Sequence, residues 1–178
     1  IYIIGGNTTA GVINNQTLRA NINTDGSLSS LISETNLPAN RSPTTNGAFV
    51  YNGYIYVTGG LTGSGVMGDV LYAPIYANRS VGAWASTTSF TAPSRTWHGA
   101  AAYNGYMYVV GGDNGADRAF YSDVQYSKLD PAGTTTAFIT SGNTFAATRR
   151  GSQTVVYNSY IYVMGGDNGN TPTTTVYY

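Results

Sequence analysis

The chain has 178 residues, a formal net charge of zero and only 9% charged residues. A neutral chain this poor in Lys and Arg offers no basic patch to nucleic acid, and no apolar run approaches the ~20 residues of a membrane-spanning helix. Without cysteine the chain has no disulfide, thiolate nucleophile or cysteine metal site, and one histidine cannot form a metal site by itself, so we predict no metal and no cofactor.

A Gly-Gly pair recurs along the chain, at residues 5–6, 59–60, 111–112 and 165–166. A short apolar, Tyr-rich run precedes each pair, at residues 1–4, 54–58, 106–110 and 160–164. Alternating Tyr, Val and Ile fit a strand packed on both faces, and a closing glycine pair lets a neighbouring backbone approach closely. We interpret these runs as equivalent strands of an internal repeat.

A turn precedes three of these strands. Asn52-Gly53 and Asn104-Gly105 have the sequence preferred by the two-residue type I′ turn, and Asn158-Ser159 is a weaker version. Such a turn joins antiparallel strands, so a strand is predicted before each turn, at residues 47–51, 99–103 and 151–157.

Two further strands are predicted after each glycine pair. The third strand of each copy lies at residues 69–72, 123–126 and 175–178, with a diverged copy at 16–19. The fourth strand is opened by one large apolar residue, which is Leu31, Trp84 or Phe138. Four strands in about 50 residues, with no helical period, indicate a β-propeller blade. We therefore predict an all-β chain of about fourteen strands, in three to four four-stranded blades.

When the strands of the copies are aligned by their glycine pairs, the chain resembles the kelch-repeat family. The family has an Arg near the start of the first strand, an aromatic-rich second strand ending in Gly-Gly, a later Tyr and a Trp that opens the last strand. Arg95 and Arg149 lie sixteen residues before their glycine pairs, and Arg41 lies eighteen before. The resemblance covers residues 1–178 and implies one kelch-type β-propeller segment.

The repeat begins at a second strand and stops in a third, whereas the resemblance implies rings of six or seven blades. We expect further blades from the same longer chain, further blades from a homo-oligomeric partner, or an open or unusually small propeller. The start at Ile1, without a Met, favours a processed or partial chain.

The arginines are candidate ligand-binding residues. The resemblance places Arg41, Arg95 and Arg149 at the rim of the central opening, where some kelch domains hold acidic peptides, and a guanidinium can bind a carboxylate through two parallel hydrogen bonds. The alternative is that they brace adjacent blades through backbone carbonyls, which their repetition favours. Arg150 adds a second cation beside Arg149 and favours an anion there.

Trp97 and His98 complete the candidate site. The pattern puts Thr45 and Arg150 where Trp97 stands in the other copies, so the indole is unshared and able to stack on a sugar ring or a peptide. The family often has a His at the position of His98, where the ring is expected to bond a neighbouring backbone.

Several aspartates have structural interpretations. The Asp-Asn-Gly sequences at 113–115 and 167–169, with Asp117 nearby, lack the spacing of an EF-hand, so we predict turns and no calcium site. Asp69 and Asp123 occupy equivalent positions and are expected to bond backbone between strands.

No catalytic constellation emerges. One Glu, seven Asp and one His provide no convincing carboxylate pair for glycoside hydrolysis and no Ser-His-Asp set. We predict a non-catalytic module that binds a protein or glycan at the propeller rim, and low charge with abundant Thr, Asn and Tyr favours an extracellular or cell-surface protein. Two alternatives stay open: a purely structural propeller in a surface assembly, and the propeller part of a larger carbohydrate-active enzyme or oxidase.

Overall fold

The computed structural model describes residues 1–42, 47–115, 119–169 and 171–178, so Thr45 and Asp117 lie outside the described residues.

The described residues form four antiparallel sheets, here called blades 1 to 4, whose strands follow one another in chain order. Blade 1 contains β1 (Tyr2–Ile4), β2 (Thr17–Arg19) and β3 (Ile32–Ser33). Blade 2 contains β4 (Ala48–Tyr51), β5 (Tyr54–Thr62), β6 (Gly65–Pro74) and β7 (Ala85–Thr87). Blade 3 contains β8 (Gly99–Tyr103), β9 (Tyr106–Val110), β10 (Val124–Lys128) and β11 (Ile139–Thr140). Blade 4 contains β12 (Gln153–Tyr157), β13 (Tyr160–Met164) and β14 (Val176–Tyr177).

The predicted all-β architecture is confirmed. Second strands begin at the predicted Tyr54, Tyr106 and Tyr160, and each fourth strand begins one residue after its large apolar residue. The described part of the chain contains no long apolar helix of the kind that crosses a membrane.

The prediction is wrong for the length of two strands in blade 2. β5 continues through the glycine pair to Thr62, and β6 begins at Gly65, because these residues pair as a hairpin. The ladder shifts register between Thr58 and Gly60, so the glycine pair is absorbed as an irregularity of the strand.

The tight turns have the predicted conformation. Both residues of Asn52-Gly53 and of Asn104-Gly105 have positive φ, as a type I′ turn requires. Asn158 and Ser159 follow with φ of 47° and 68°, so Ser159 takes a conformation that favours glycine.

The blades stand side by side around a common axis. The first strands β4, β8 and β12 contact one another in succession, which places them innermost. In blades 2, 3 and 4, two tyrosines of the second strand and one in or directly after the third strand form a ladder of rings. The ladders are Tyr54–Tyr56–Tyr72, Tyr106–Tyr108–Tyr126 and Tyr160–Tyr162–Tyr178.

The core lies between blades rather than inside a sheet. Between blades 2 and 3, Tyr56 packs with Met107, Val109, Leu129 and Phe138, all of which are buried. Each large side chain buried in this way contributes about 1.5–3 kcal/mol. The candidate site residues therefore sit on a rigid stack of sheets.

One apolar residue after each fourth strand, here called a wedge residue, was not predicted from the sequence to have a structural role. Leu37, Phe90 and Phe145 each donate their backbone N–H to their own blade, to the carbonyls of Asn15, Gly68 and Ser122, at or just before the third strand. Leu37 is buried among Ile4, Val57, Leu71 and Trp84, between blades 1 and 2. The signal was a single apolar residue four or five positions before each repeated Arg.

Candidate functional site

The repeated arginines occupy one structural position in blades 2, 3 and 4, and all three are buried. Arg41 donates from Nη1 to the Gly59 carbonyl at 2.9 Å and binds both carboxylate oxygens of Asp69 at 2.6 and 2.7 Å. Arg95 repeats this arrangement with the Gly111 carbonyl at 3.0 Å and with Asp123 at 2.8 and 3.1 Å. Two of the three guanidiniums are therefore neutralised inside the protein.

The expectation that Asp69 and Asp123 bond backbone between strands is wrong, because each carboxylate clamps an arginine. Burial raises the pKa of Asp123, but the hydrogen bonds and positive charge of Arg95 outweigh it, so the pKa of this carboxyl lies below its usual value. The available signal was that Arg and Asp stand 28 residues apart in both copies.

The bracing role expected for the arginines is fulfilled by their backbone instead of their side chains. Gly59 and Gly111 belong to the arginines' own blades, so these side-chain hydrogen bonds do not cross between blades. The carbonyls of Arg41, Arg95 and Arg149 accept hydrogen bonds from Gly6, Gly60 and Gly112 of the preceding blade, at 2.9, 3.0 and 2.6 Å. A Cβ on Gly111 would lie 2.5 Å from the Arg149 carbonyl oxygen, which explains a glycine there.

Arg149 departs from this pattern. Thr175 stands where Asp69 and Asp123 stand in their blades, so the clamp is missing. Arg149 donates from Nη2 to the Tyr177 hydroxyl at 3.1 Å and lies over the Tyr177 ring at 5.2 Å. No acidic side chain among the described residues pairs with this buried guanidinium, and a buried unpaired charge is costly.

Arg150 bridges blades 3 and 4. It binds Asp113 through Nη1 and Asp167 through Nε, each at 3.1 Å, and lies 5.0 Å from the centre of the Phe120 ring. The hydrogen bond to Asp113 is the largest cause of a raised Arg150 pKa. Two carboxylates already surround the Arg150 guanidinium. This charge balance argues against the expected binding of an anionic ligand at Arg150.

Trp97 has a different counterpart from the one expected. Bridges pair Thr96 with Asp113 and Arg150 with Asp167, so Arg150 corresponds to Thr96. The residue that corresponds to Trp97 is Gly151, whose φ of 62° resembles the 54° of Trp97. Gly151 donates its N–H to the Trp97 carbonyl at 2.8 Å. Trp97 is 44% exposed and lies two residues before the innermost strand of blade 3.

His98 is fully buried and links blades 2 and 3. Its Nε2 lies 2.8 Å from the Thr58 hydroxyl, and backbone groups of Arg95 and Thr58 also interact with the ring, as expected. Burial, together with the positive charge of Arg95, lowers the pKa of His98 to about 3, so the ring is neutral at neutral pH. Of the six candidates, Trp97 and Arg150 therefore reach the surface, whereas His98 and the three repeated arginines do not.

The two Asp-Asn-Gly sequences form the predicted turns. Asp113 and Asp167 each accept a hydrogen bond from the glycine two residues later, at 2.7 and 2.6 Å. Within the described ranges, no three His, Cys, Asp or Glu side chains are placed to hold a metal ion.

Comparisons with known proteins agree with the fold. Residues 1–178 match the family model described as the KLHDC2/KLHL20/DRC7 Kelch-repeats domain. The solved structure titled "Structure of YjhT" is similar with a TM-score of 0.55 and 21% sequence identity, over 71% of this chain and 35% of that chain. At that identity the likeness shows the fold alone, and the chain spans about a third of that protein's length. None of the curated proteins matches.

Proposed function

The chain belongs to the kelch-repeat family, and from that premise we propose that it is a non-catalytic module that binds a protein partner at the axial end of blade 3, around Trp97. Kelch repeats generally mediate protein interactions. The surface loops that join strands are where such folds carry their binding residues.

The conformation of Trp97 is the observation that carries this proposal. A left-handed backbone costs a residue with a side chain about 1–2 kcal/mol, and the corresponding Gly151 avoids that cost. The indole is nonetheless 44% exposed, so burial within this chain offsets the strain only in part. Strained, exposed residues of this kind occur at functional sites, and Trp is the residue type most enriched at binding hot spots.

The surroundings of Trp97 suit a protein partner. The nearest atom to a Cβ built on Gly151 is Cε3 of the indole at 3.7 Å, so the ring lies beside a backbone with no side chain in the way. The charged cluster of Arg150, Asp113 and Asp167 lies next to it. An aromatic anchor beside a charged rim is the anatomy of a protein interface.

The test is a peptide array probed with the labelled chain and with Trp97→Gly. We expect Trp97→Gly to lose the array signals while its thermal midpoint stays within a few degrees of the parent, because relief of backbone strain offsets lost packing. Tyr76→Ala is the matched control, since Tyr76 is an exposed aromatic in the turn between β6 and β7, at the other end of the blades. Signals that survive Trp97→Gly, or that Tyr76→Ala removes equally, would contradict the proposal.

A glycan is the other ligand class predicted for this indole, because sugar rings stack on its face. A glycan array probed with the same two variants separates the classes: signals on glycans alone would exclude the protein partner. An extracellular or surface location stays a prediction, as does the alternative of a larger enzyme. Oxidase and glycosidase assays of the protein would test that alternative.

A further inference from the structure

The Arg149 guanidinium lacks the acceptors that its counterparts in blades 2 and 3 have. There, Nη1 donates to a glycine carbonyl at 2.9 or 3.0 Å, and the two Nη atoms share one aspartate. Among the described residues, Arg149 Nη1 has one acceptor, the Thr148 carbonyl at 3.5 Å, which is longer than an ordinary N–H···O bond. Arg149 is only 4% exposed, so a positive charge lies inside the fold with donors still to be satisfied.

Two threonines of blade 4 replace the side chains that hold the guanidinium in blade 3. Asp123 binds Arg95 through both oxygens, and the guanidinium carbon lies 4.6 Å from the centre of the Tyr121 ring. Thr175 stands at the position of Asp123, and Thr173 stands at the position of Tyr121. The second correspondence holds because Tyr121 and Thr173 each donate their backbone N–H to the second glycine of their blade's pair. Threonine has neither a carboxylate nor a ring, so blade 4 has room for an acceptor that its own residues do not supply.

The difference lies in residues that the structure describes. Every side-chain partner of Arg41 and Arg95 in the described part of the chain lies no further along the sequence than the aspartate of the same blade. The corresponding stretch of blade 4 runs from Phe145 to Thr175, and all of it except residue 170 is described. The unsatisfied guanidinium is therefore a consequence of the sequence of blade 4 itself.

Hydroxyl groups lie where the carboxylate would be. The Tyr177 hydroxyl accepts a hydrogen bond from Arg149 Nη2 at 3.1 Å, and the Thr173 and Thr175 hydroxyl oxygens lie 2.9 Å apart. A hydroxyl that accepts a hydrogen bond keeps its own O–H to donate, and two hydroxyls bonded to each other use only one O–H between them. Blade 4 therefore combines a guanidinium with hydroxyl donors, which is the chemistry that an anion requires.

Solvent reaches the equivalent carboxylates in the other blades. The side chains of Asp69 and Asp123 are 24% and 22% exposed, whereas those of Arg41 and Arg95 are 4% and 0% exposed. The carboxylate side of this arrangement thus faces the surface while the guanidinium side faces the core. A small anion can reach the same position in blade 4 without unfolding the sheet.

We propose that Arg149, with Thr175 and Tyr177, binds a small carboxylate anion at the position that an aspartate carboxylate fills in blades 2 and 3. The two oxygens of such an anion accept from the two Nη atoms, as those of Asp69 and Asp123 do. A planar carboxylate fits this fork better than a spherical halide does. The site does not involve Trp97, so this proposal is independent of the proposed function.

Sodium acetate is the probe, and thermal unfolding of the full 178-residue chain is the first measurement. The unfolding midpoint is compared in about 100 mM acetate and in sodium chloride of the same pH and ionic strength. If the dissociation constant is about 10 mM, acetate is expected to raise the midpoint by about 3–6 °C over chloride.

Two variants separate binding at Arg149 from a general effect of acetate. Thr175→Asp places a carboxylate in the site, so its midpoint is expected to be the same in acetate and in chloride. Thr9→Asp introduces the same side chain at an exposed position of blade 1 and is expected to keep the full acetate effect.

A second measurement does not depend on unfolding. The Nε–Hε signal of Arg149 in nitrogen–proton correlation spectra is expected to shift during an acetate titration of the parent chain and to saturate. Equal midpoints in acetate and chloride for the parent chain would overturn the proposal. So would an Arg149 signal that acetate leaves unchanged, or a Thr175→Asp variant that acetate stabilises as much as the parent.

Discussion

At the scale of single residues, three equivalent arginines show what the sequence predicts and what it leaves open. The phase of the repeat predicts that Arg41, Arg95 and Arg149 share a position. Their partners were not predicted, because the constant separation of each Arg from its Asp does not reveal which atoms meet. Thr175 breaks the pattern, and its consequence becomes visible only when the Arg149 guanidinium is found buried beside Tyr177.

Removing the carboxylate of one Arg–Asp ion pair should lower the free energy of unfolding by much more than a surface ion pair contributes to it. Asp123→Asn leaves Arg95 buried without a negative partner, so we expect the free energy of unfolding to fall by about 3–5 kcal/mol. The converse change, Thr175→Asp, supplies Arg149 with the missing carboxylate and should raise the free energy of unfolding by about 1–2 kcal/mol. Urea unfolding measures both, and a neutral Asp123→Asn would show that the clamp is not structural.

At the scale of strands, alternation and turn chemistry suffice for most of the fold. The strands of the tyrosine runs begin within a residue of their predicted starts, and the fourth strands begin one residue after their large apolar residues. The hairpin at Leu61–Gly65 was not predicted, because glycine pairs usually mark the end of a strand and here the strand continues through one. The wedge residues were not predicted because a single apolar residue in a polar loop shows no hydrophobic periodicity.

The glycine pairs yield a prediction that separates backbone strain from crowding. Gly111 and Gly165 are the first glycines of their pairs and have φ of 59° and 64°. A Cβ on Gly111 meets the Arg149 carbonyl oxygen at 2.5 Å, whereas the nearest atom to one on Gly165 is 3.7 Å away.

Both alanine variants carry the cost of the left-handed backbone, about 1 kcal/mol, and Gly111→Ala adds a steric cost of about 1–3 kcal/mol. Thermal unfolding of the two variants tests this difference. Equal destabilisation would mean that the close approach between blades 3 and 4 does not determine the choice of glycine.

At the scale of the molecule, the buried core lies where blades meet, and this is where sequence analysis is weakest. Repeat phase identifies the blades, but the distance between two sheets depends on side chains far apart in sequence. Trp97 stays a predicted binding residue, but its counterpart was assigned to Arg150 because the two residues stand close to a repeated Arg. The bridge partners Asp113 and Asp167 correct that alignment. The sequence therefore did not reveal which of the candidate residues are exposed, since that depends on contacts between blades.

Because His98 joins two blades from a fully buried position, its ionisation should govern the stability of the whole chain in mild acid. The pKa of His98 is about 3 in the folded chain, whereas a solvent-exposed histidine has a pKa of 6.5, so the unfolded chain binds a proton first. A depressed histidine pKa means that stability is complete above the unfolded pKa and falls as pH decreases from there to the folded pKa.

We expect the free energy of unfolding to decrease by about 1.5 kcal/mol between pH 6.5 and pH 5, at a slope that approaches about 1.4 kcal/mol per pH unit. Asp123 cannot account for this loss, since its pKa lies below the usual carboxyl range and its contribution disappears only in stronger acid. Urea unfolding at several pH values measures the slope. His98→Ser, which copies Ser152 of blade 4, should be less stable at pH 7 and flat across this range. The contradicting result is a parent chain whose free energy of unfolding does not change between pH 7 and pH 5. His98 would then be protonated as readily in the folded chain as in the unfolded one, and it could not be a buried link between blades.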